Sequence, residues 1–294
     1  MARKPQHIID RERLRKAETR RSVWLFGLHA VRDALLNPRR ERRRLVVTPN
    51  AARKLADAIE AAGIVPEIVD PRRFSAPLDP GSVHQGAALE VAPLDWGGLD
   101  AVLSGRKAEE DTAPSGGGAT RPPLVVLLDR VTDPHNVGAI LRSAEVFGAD
   151  AVIATARHAA PETGALAKAA SGALERQPYL RVRNLADTID RLRDAGFAVL
   201  GLDGAAETAL EEAVAEVVDR PLAIVLGAEG PGLRQRTREK VDHLVRIIPA
   251  GGFGSLNVSN AAAVALHVAD WLRRSRALPG ANGSSPTPPD VKEG

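Results

Sequence analysis

Three stretches of this chain place polar side chains beside glycines or at the start of a helix. The first is Asp133-Pro134-His135-Asn136, with Arg142 further along. The second is Gly227-Ala228-Glu229-Gly230-Pro231-Gly232. The third is Gly254-Ser255-Leu256-Asn257-Val258-Ser259-Asn260-Ala261, with two hydroxyls and two carboxamides. Amides, hydroxyls, a carboxylate and a guanidinium are groups that orient a ligand or assist proton transfer.

The first stretch predicts the start of an amphipathic helix. Residues 137, 140, 141 and 144 are apolar, with the spacing of one buried helical face. Asn136 is suited to cap this helix, and Arg142 lies off the apolar face. A capping asparagine with a surface arginine explains the pattern as well as a catalytic pair does, so this stretch alone leaves both interpretations open.

The second stretch predicts a glycine-rich loop after an apolar strand. Glycines allow backbone amides to approach a ligand closely. Glu229 inside the loop would repel a pyrophosphate, so the loop does not fit a dinucleotide. A neutral or cationic ligand fits better, and S-adenosylmethionine has a sulfonium and no phosphate. A simple turn is the alternative.

The third stretch follows a predicted strand that ends at Pro249. Capping of the next helix by Asn257 or Ser259 explains one polar residue but not four. Alanines at 261, 262, 263 and 265 predict that another backbone packs closely against the first turns of this helix, which is expected from about Ser259 to Arg273.

A C-terminal α/β domain is predicted to hold all three stretches. Continuous apolar runs are typical of strands covered on both faces. These runs are Leu124–Leu128, Ala151–Ala154, Ala198–Leu202, Leu222–Leu226 and Val245–Ile248. Their alternation with helical segments predicts a mostly parallel sheet with helices on both sides, in which ligands bind where strands end.

A smaller α/β domain is predicted before it. Its elements are a helix over Leu28–Leu36, strands at Leu45–Thr48, around Val65–Val69 and at Ala87–Val91, and a helix from about Ala51 to Ala62. We therefore expect a disordered basic tail at 1–22, this domain at 23–94, a flexible linker at 95–121, the larger domain at 122–276 and a disordered tail at 277–294.

Composition limits the chemistry. The 294 residues include no cysteine, which excludes disulfides and thiol nucleophiles, and we predict no metal site. Aromatic residues make up 3% of the chain, which disfavours a platform for stacking bases. No apolar run approaches the roughly 18 residues of a membrane span. The N-terminal residues are charged with no apolar region behind them, so we do not expect a secretory signal. We expect a cytoplasmic protein.

Positive charge is concentrated in the N-terminal third. Residues 1–22 contain eight Lys/Arg and three Asp/Glu, whereas the whole chain carries a net charge of +3. A second cluster includes Arg39, Arg40, Arg42 and Arg43. Either cluster alone is compatible with a solvated tail or turn. Together they favour a polyanionic partner, and these four arginines are predicted to bind RNA.

In residue type and order, the three stretches resemble the motifs of the SpoU (TrmH-type) RNA 2′-O-methyltransferases. The resemblance is strong over about residues 124–274 and looser over 24–91. It implies a C-terminal SPOUT domain whose last segment forms a trefoil knot, contrary to the usual rule against knotted chains. It also implies S-adenosylmethionine as cofactor and transfer of its methyl group to a ribose 2′-hydroxyl.

The resemblance also assigns roles to residues. Those for the cofactor are Gly227, Ile248 and Leu256. Those for catalysis and RNA are Asn136, Arg142, Glu229, Ser255 and Asn257. Because guanidinium groups ordinarily stay protonated, we expect Arg142 to orient or activate the hydroxyl. Positioning contributes about 7–11 kcal/mol and a general base about 10²–10⁴-fold, so geometry should dominate.

The smaller domain resembles the family's substrate-binding domain, an α/β unit similar to ribosomal-protein-type RNA binders. Phe26-Gly27-Leu28-His29-Ala30-Val31 and His84-Gln85-Gly86 carry this match, and His84 and Gln85 are predicted to contact RNA. The domain and linker favour a guanosine in 23S rRNA. The alternatives are a tRNA 2′-O-methyltransferase and a non-enzymatic RNA-binding or ribosome-assembly protein. The family implies a homodimer through the knotted domain and leaves open whether Arg142 acts in its own subunit or across the dimer.

Overall fold

The computed structural model describes residues 22–79, 81–100, 121–251 and 255–277. The two predicted tails, apart from Ser22 and Ala277, and residues 101–120 of the predicted linker lie outside the described residues. Within the described part, two separate β-sheets define two domains.

The N-terminal domain contains a four-stranded mixed sheet in the order β1-β4-β2-β3. Its strands are β1 (Val23–Phe26), β2 (Arg42–Val47), β3 (Glu67–Ile68) and β4 (Ala87–Val91). Strand β4 pairs antiparallel with β1 and β2, and β3 runs parallel to β2. The helices are α1 (Leu28–Leu36), α2 (Pro49–Lys54) and α3 (Ala56–Ala62). The prediction of α1 is confirmed.

Three predictions for this domain need correction. Strand β1 was not expected, and β2 begins at Arg42 instead of Leu45, so its arginines lie in a strand and not in a turn. The single helix expected from Ala51 to Ala62 is two helices. They are separated at Leu55, which has φ −108° and ψ 8° and closes α2 through a hydrogen bond to Ala51.

The C-terminal domain contains a seven-stranded sheet in the order β7-β6-β5-β10-β8-β11-β9. Its strands are β5 (Leu124–Asp129), β6 (Ala151–Thr155), β7 (Tyr179–Val182), β8 (Ala198–Leu202), β9 (Thr208–Ala209), β10 (Leu222–Gly227) and β11 (His243–Arg246). Every pairing in it is parallel, which confirms the predicted parallel sheet. The strand predicted at Val245–Ile248 starts and ends two residues earlier, so Ile247 and Ile248 lie beyond the sheet.

Helices cover both faces of this sheet. They are α4 (Pro134–Val146), α5 (Gly164–Ala170), α6 (Leu185–Asp194), α7 (Leu210–Glu216), α8 (Gln235–Arg238) and α9 (Val258–Ala277). Alternate residues of β5 enter two different apolar clusters, as expected for a strand buried on both faces. No helix in the described part of the chain is long and apolar enough to cross a membrane.

The two domains are packed together. Leu25 and Leu35 of the N-terminal domain belong to the same buried apolar cluster as Leu166 and Leu174 of the C-terminal domain. The start of the predicted linker also packs on the C-terminal domain, because Leu99 is only 2% exposed and joins the second apolar cluster. The expectation of a flexible linker is therefore wrong for residues 95–100.

Candidate active site

The first polar stretch forms the N-terminus of α4, and its capping residue differs from the prediction. Asp133 is the N-cap, and its carboxylate accepts hydrogen bonds from the backbone N–H groups of His135 at 3.1 Å and Asn136 at 3.4 Å. Pro134 occupies the first helical position, which needs no N–H donor. Since Asp133 fills the capping role, the side chain of Asn136 is available for other contacts.

Asn257 connects the three stretches. Its Nδ2 donates to Oδ1 of Asn136 at 2.9 Å and to Oε1 of Glu229. Asn136 Nδ2 also donates to the same Glu229 oxygen at 3.3 Å. The three side chains come from segments that follow three different strands. Two amide groups thus converge on one carboxylate oxygen, an arrangement of charge-assisted hydrogen bonds.

The other end of the Asn257 side chain starts helix α9. Its Oδ1 accepts hydrogen bonds from the backbone N–H of Ser259 at 2.9 Å, from Oγ of Ser259 at 2.5 Å and from the N–H of Asn260 at 3.4 Å. One residue therefore both caps α9 and holds the cluster with Asn136 and Glu229, which we call the amide cluster.

The glycine-rich loop after β10 folds tightly onto itself. Gly232 donates a backbone hydrogen bond to Ala228 at 2.9 Å, and Gly230 and Gly232 have φ of 82° and 67°, which favour glycine. A Cβ at Gly227 would lie 2.2 Å from the carbonyl carbon of Gly232 and 2.4 Å from the nitrogen of Leu233. Both contacts are to backbone atoms, so only glycine fits at position 227.

A buried carboxylate attaches this loop to the neighbouring strand. Asp129, fully buried at the end of β5, accepts hydrogen bonds from the backbone N–H of Arg234 at 2.9 Å and from its Nε at 2.6 Å. Because β5 and β10 are paired neighbours, this contact fixes the loop relative to α4, which begins shortly after β5.

A cavity of about 710 Å³ lies beside the amide cluster. The three predicted cofactor residues, Gly227, Ile248 and Leu256, all line it, as do Glu229 and Ser255. Its volume falls within the range of about 300–1,000 Å³ that is usual for small-molecule sites. The structure thus gathers the predicted cofactor residues around one cavity, whereas their roles stay predictions.

Sequence reasoning missed several lining residues. Asp203 follows β8 and forms an ion pair with Arg238 at the cavity wall. Arg246, the last residue of β11, also lines the cavity, and its Nε is buried without a hydrogen-bond partner in the described part of the chain. The position of Asp203 after an apolar strand was a usable signal, because the three chosen stretches share it.

The cavity has the chemical character expected for S-adenosylmethionine. Leu226, Ile247 and Leu256 supply apolar surface for a ring, and Glu229 supplies negative charge for a cationic group. The unpartnered Nε of Arg246 suits a carboxylate. Of the two lining arginines, Arg238 is already neutralised by Asp203. This donor set fits a ligand with one cation and one carboxylate better than a polyphosphate.

Arg142 lies outside both the amide cluster and the cavity lining. It is exposed on α4, six residues beyond Asn136, which corresponds to about 9 Å along the helix axis. Its side chain makes no hydrogen bond or ion pair with any residue that the structure describes. The structure therefore does not bring Arg142 together with the other predicted catalytic residues in this single chain.

The predicted RNA-binding arginines do not form one basic surface, and the prediction is wrong for Arg40. Arg40 is 2% exposed and is paired with Glu175 at 2.6 Å and Glu162 at 3.1 Å. Burial by itself lowers the pKa of Arg40, but its hydrogen bonds and charge interactions with the two glutamates outweigh burial and raise it. A side chain enclosed in this way is not accessible to RNA.

The other three arginines have their own partners. Arg39 stacks over Trp96 with its guanidinium carbon 4.4 Å from the ring centre. Arg42 is half-buried and donates to the carbonyl of Leu35 at 2.6 Å, and Arg43 is exposed and pairs with Glu41. RNA contact by Arg39, Arg42 and Arg43 stays a prediction.

His84 and Gln85 have structural contacts of their own. Gln85 Oε1 accepts a hydrogen bond from the backbone N–H of Leu28 at 3.0 Å, which satisfies a donor at the start of α1. His84 Nδ1 accepts from the N–H of Gly86 at 3.1 Å, and its ring stacks on Phe74 with 4.0 Å between ring centres. Contact of these two residues with RNA stays a prediction.

The architecture matches that of a solved methyltransferase. The AdoMet-bound rRNA methyltransferase of Sinorhizobium meliloti is 25% identical and superposes with a TM-score of 0.66, covering 89% of this chain and 90% of that chain. Asn257, which follows β11, meets Asn136, which follows β5. The fold and the site define the class as a SPOUT methyltransferase.

Two sequence models match the two domains. The SpoU rRNA Methylase family model matches residues 123–267, and the model for RNA 2′-O ribose methyltransferase substrate binding matches residues 24–96. The 23S rRNA (guanosine-2′-O-)-methyltransferase RlmB of Escherichia coli K12 is 36% identical over 250 residues, which are 83% of this chain and 96% of that protein. The chain belongs to the SpoU rRNA methylase family and is an RNA 2′-O-methyltransferase.

A second relative is longer. An uncharacterized tRNA/rRNA methyltransferase of Synechocystis sp. PCC 6803 is 35% identical over 248 residues, which are 83% of this chain and 61% of that protein. The two relatives differ in the RNA that their names give.

Proposed function

We propose that this protein transfers a methyl group from S-adenosylmethionine to the ribose 2′-hydroxyl of a guanosine in 23S rRNA. The observation that carries the proposal is the amide cluster of Asn136, Glu229 and Asn257 beside a cavity lined by the predicted cofactor residues. The substrate follows the name of the Escherichia coli relative, which matches this chain over 96% of its length.

The cavity residues hold the cofactor in this proposal. S-adenosylmethionine supplies an electrophilic methyl group attached to a sulfonium. Gly227 presents backbone atoms, and Ile248 and Leu256 contribute apolar surface. Glu229 places a carboxylate near the cationic centre, and Arg246 offers its unpartnered Nε to the carboxylate of the methionine moiety. The AdoMet bound to the Sinorhizobium meliloti protein supports this assignment.

The amide cluster positions the ribose. Asn136 and Asn257 are restrained by their mutual hydrogen bond and by Glu229, so little side-chain freedom remains to be lost when RNA binds. Ser255 is exposed at the cavity and within the same segment, where it contacts the ribose. Glu229 organises the two amides, and Arg142 orients or activates the 2′-hydroxyl.

A homodimer brings Arg142 to a reaction centre. Helices α4 and α9 pack against each other, and each carries a large apolar side chain that is exposed. Val146 of α4 is 69% exposed, and Trp271 of α9 is 55% exposed. An interface through these helices buries both side chains and directs Arg142 toward the cavity of the partner subunit. The enzyme acts in the cytoplasm, where its RNA substrate is made.

A tRNA substrate is the second candidate, because the name of the Synechocystis relative includes tRNA. The two candidates are separated by supplying S-adenosylmethionine with a labelled methyl group to the native chain, with either 23S rRNA fragments or tRNA. Any product is mapped by ribose-methylation sequencing. We expect 2′-O-methylguanosine in 23S rRNA only. Label confined to tRNA would contradict the substrate, and RNA binding without cofactor binding would contradict the activity.

The same assay tests Arg142. Arg142→Ala should lose most of the methyl transfer and keep its cofactor affinity, because Arg142 does not line the cavity of its own chain. Arg191→Ala is the matched control, since Arg191 is an exposed helical arginine that pairs with Asp100. Mixing Arg142→Ala with a cavity variant, Gly227→Ala, should restore activity in mixed dimers if Arg142 acts across the interface.

A further inference from the structure

A buried ion cluster joins the two domains. Arg40 lies between α1 and β2 of the N-terminal domain, and its side chain is fully buried. Its Nε and Nη2 donate to the two carboxylate oxygens of Glu175 at 3.0 and 2.6 Å, and its Nη1 donates to Glu162 at 3.1 Å. Both glutamates belong to the C-terminal domain and are at most 5% exposed along their side chains.

Polar groups on both sides complete this cluster. Arg40 Nη1 also donates to the carbonyl of Ala92 at 2.9 Å. The backbone N–H of Leu94 donates to Glu162 at 3.3 Å, and Asn37 Nδ2 donates to Glu175 at 2.9 Å. All of these donors lie in the N-terminal domain or directly after it.

The pairing of charges in this cluster depends on how the two domains are oriented, because the cation and the two carboxylates come from different domains. Buried charges are tolerated only when they are paired and hydrogen-bonded, and the two glutamates obtain their cationic partner from the other domain. Rotation of the domains would leave two carboxylates facing one another without Arg40. The buried charges are therefore fully paired in one relative orientation of the two domains, and other orientations are less stable.

A steric contact defines the same orientation independently. Gly164, the first residue of α5, faces β1 of the N-terminal domain. A Cβ at this position would lie 2.2 Å from the ring of Phe26 and 2.7 Å from the backbone oxygen of Trp24. Since one of these atoms belongs to the backbone, the two domains approach as closely at this point as a glycine allows.

The docked surface adjoins the helix that carries Asn136 and Arg142. Helix α5 packs on α4 at Gly138, where a Cβ would lie 2.5 Å from the Cβ of Ala169 and 2.7 Å from the backbone oxygen of Leu166. A second link is ionic, because Arg176 pairs with Asp33 of α1 at 3.5 Å and also with Glu145 of α4. Helix α5 and the side chain of Arg176 thus connect the N-terminal domain to α4.

We propose that Arg40 is a positioning residue, which holds the RNA-binding domain in one orientation relative to α4 so that bound RNA presents its target ribose to the cavity. The proposal rests on the proposed function in one respect, namely that the N-terminal domain binds the RNA that is methylated. Arg40 touches neither cofactor nor ribose, and its effect is on the geometry between the two binding surfaces.

The test uses the full-length chain and three changes at the boundary. Arg40→Ala removes the cation, and Gly164→Ala disturbs the contact with β1 without changing any charge. A triple variant, Arg40→Met with Glu162→Gln and Glu175→Gln, removes all three charges and leaves no buried charge unpaired. Arg32→Ala is the control, because Arg32 makes a similar two-bond contact with Asp57 inside the N-terminal domain.

Domain arrangement is measured by small-angle X-ray scattering, together with cofactor affinity and the kinetics of methyl transfer. We expect a larger maximum dimension for all three boundary variants, unchanged cofactor affinity and a higher KM for RNA with kcat retained. If RNA binds across both domains only in their docked arrangement, and this arrangement falls to a tenth of the population, KM rises about tenfold. Arg32→Ala should match the native chain in every measurement.

Several results would overturn the positioning role. One is an unchanged dimension and KM for a folded Arg40→Ala or triple variant. Another is a loss of cofactor affinity in step with activity, which would mean that Arg40 only stabilises the C-terminal domain. If the native chain methylates neither RNA, the proposed function fails, whereas the scattering measurement still decides whether the cluster holds the domains together.

Discussion

Asn257 allows the contribution of helix capping to be separated from that of the amide cluster. Its Oδ1 caps α9, and its Nδ2 binds Asn136 and Glu229. Asn257→Ser keeps a capping oxygen and removes the amide donor, whereas Asn257→Ala removes both. The two substitutions should therefore have different effects on stability and similar effects on activity.

The expected magnitudes follow from these contacts. Loss of an N-cap costs about 0.5–2 kcal/mol, so Asn257→Ala should have a free energy of unfolding about 1 kcal/mol below that of Asn257→Ser, or a Tm roughly 2–4 °C lower. Serine caps nearly as well as asparagine, so Asn257→Ser loses only the amide hydrogen bonds, which Asn257→Ala loses as well. A hydrogen bond to a charged group contributes about 1.5–3 kcal/mol. Because Glu229 is exposed, we apply the lower end of this range to the hydrogen bond from Asn257 to Glu229.

Both variants should therefore lose about tenfold in kcat/KM for methyl transfer, because about 1.4 kcal/mol corresponds to a factor of ten. The measurements are urea unfolding followed by circular dichroism and single-turnover methyl transfer on 23S rRNA fragments. Asn257→Asp extends the series, because it keeps the cap and places a second carboxylate beside Glu229. Native activity in Asn257→Ser would refute the reasoning, since the amide donor would then have no part in the reaction.

Three further predictions concern the cavity, alkaline stability and the basic tail. Gly227→Ala should abolish measurable cofactor binding in calorimetry, because the added Cβ would lie 2.2 Å from a backbone atom of Gly232. Gly81→Ala is the control and should bind the cofactor normally, because a Cβ there meets open space. Equal cofactor affinities of the two variants would contradict the close contact at Gly227. Burial raises the pKa of Tyr179 to about 12 from 10.0, so its stabilising contribution is complete below pH 10 and is lost as pH rises toward 12. Tyr179 is the chain's only tyrosine, so phenolate absorbance reports it directly, and titration near pH 10 would count against burial. Deleting residues 1–22 should flatten the salt dependence of RNA binding, and an unchanged slope would mean that the tail makes no phosphate contacts.

Much of the fold was predictable because its signals are local. The limits of α1 at Leu28 and Leu36 follow from apolar spacing and the Asn37-Pro38 stop, and continuous apolar runs predicted β5, β6, β8 and β10. Short strands with mixed composition, such as β7 and β9, were not predicted. These strands form through backbone hydrogen bonds to neighbouring strands. With four and two residues, they are too short to show a clear alternation of apolar and polar side chains.

The residues of the candidate site could be predicted from the sequence, but the hydrogen bonds among them could not. Asn136, Glu229 and Asn257 stood out because polar groups followed apolar strands. Which of Asp133 and Asn136 caps α4 depended on backbone geometry, because both residues have suitable side chains. The bonds among the three residues depend on the order of strands in the sheet, which brings together positions up to 121 residues apart.

The burial of Arg40 depends on tertiary contacts and could not be predicted from the sequence. A run of arginines predicts solvent exposure, because a single charge is costly to bury. The structure buries this one, since Glu162 and Glu175, more than 120 residues further along the chain, supply compensating charge. Strands β5, β6, β8 and β10, helix α1 and the polar groups that follow the strands could be predicted from the sequence, because their signals lie in neighbouring residues. The amide cluster, the cavity and the domain contact required the fold, because their partners are distant in sequence and meet only when the sheet and the two domains assemble.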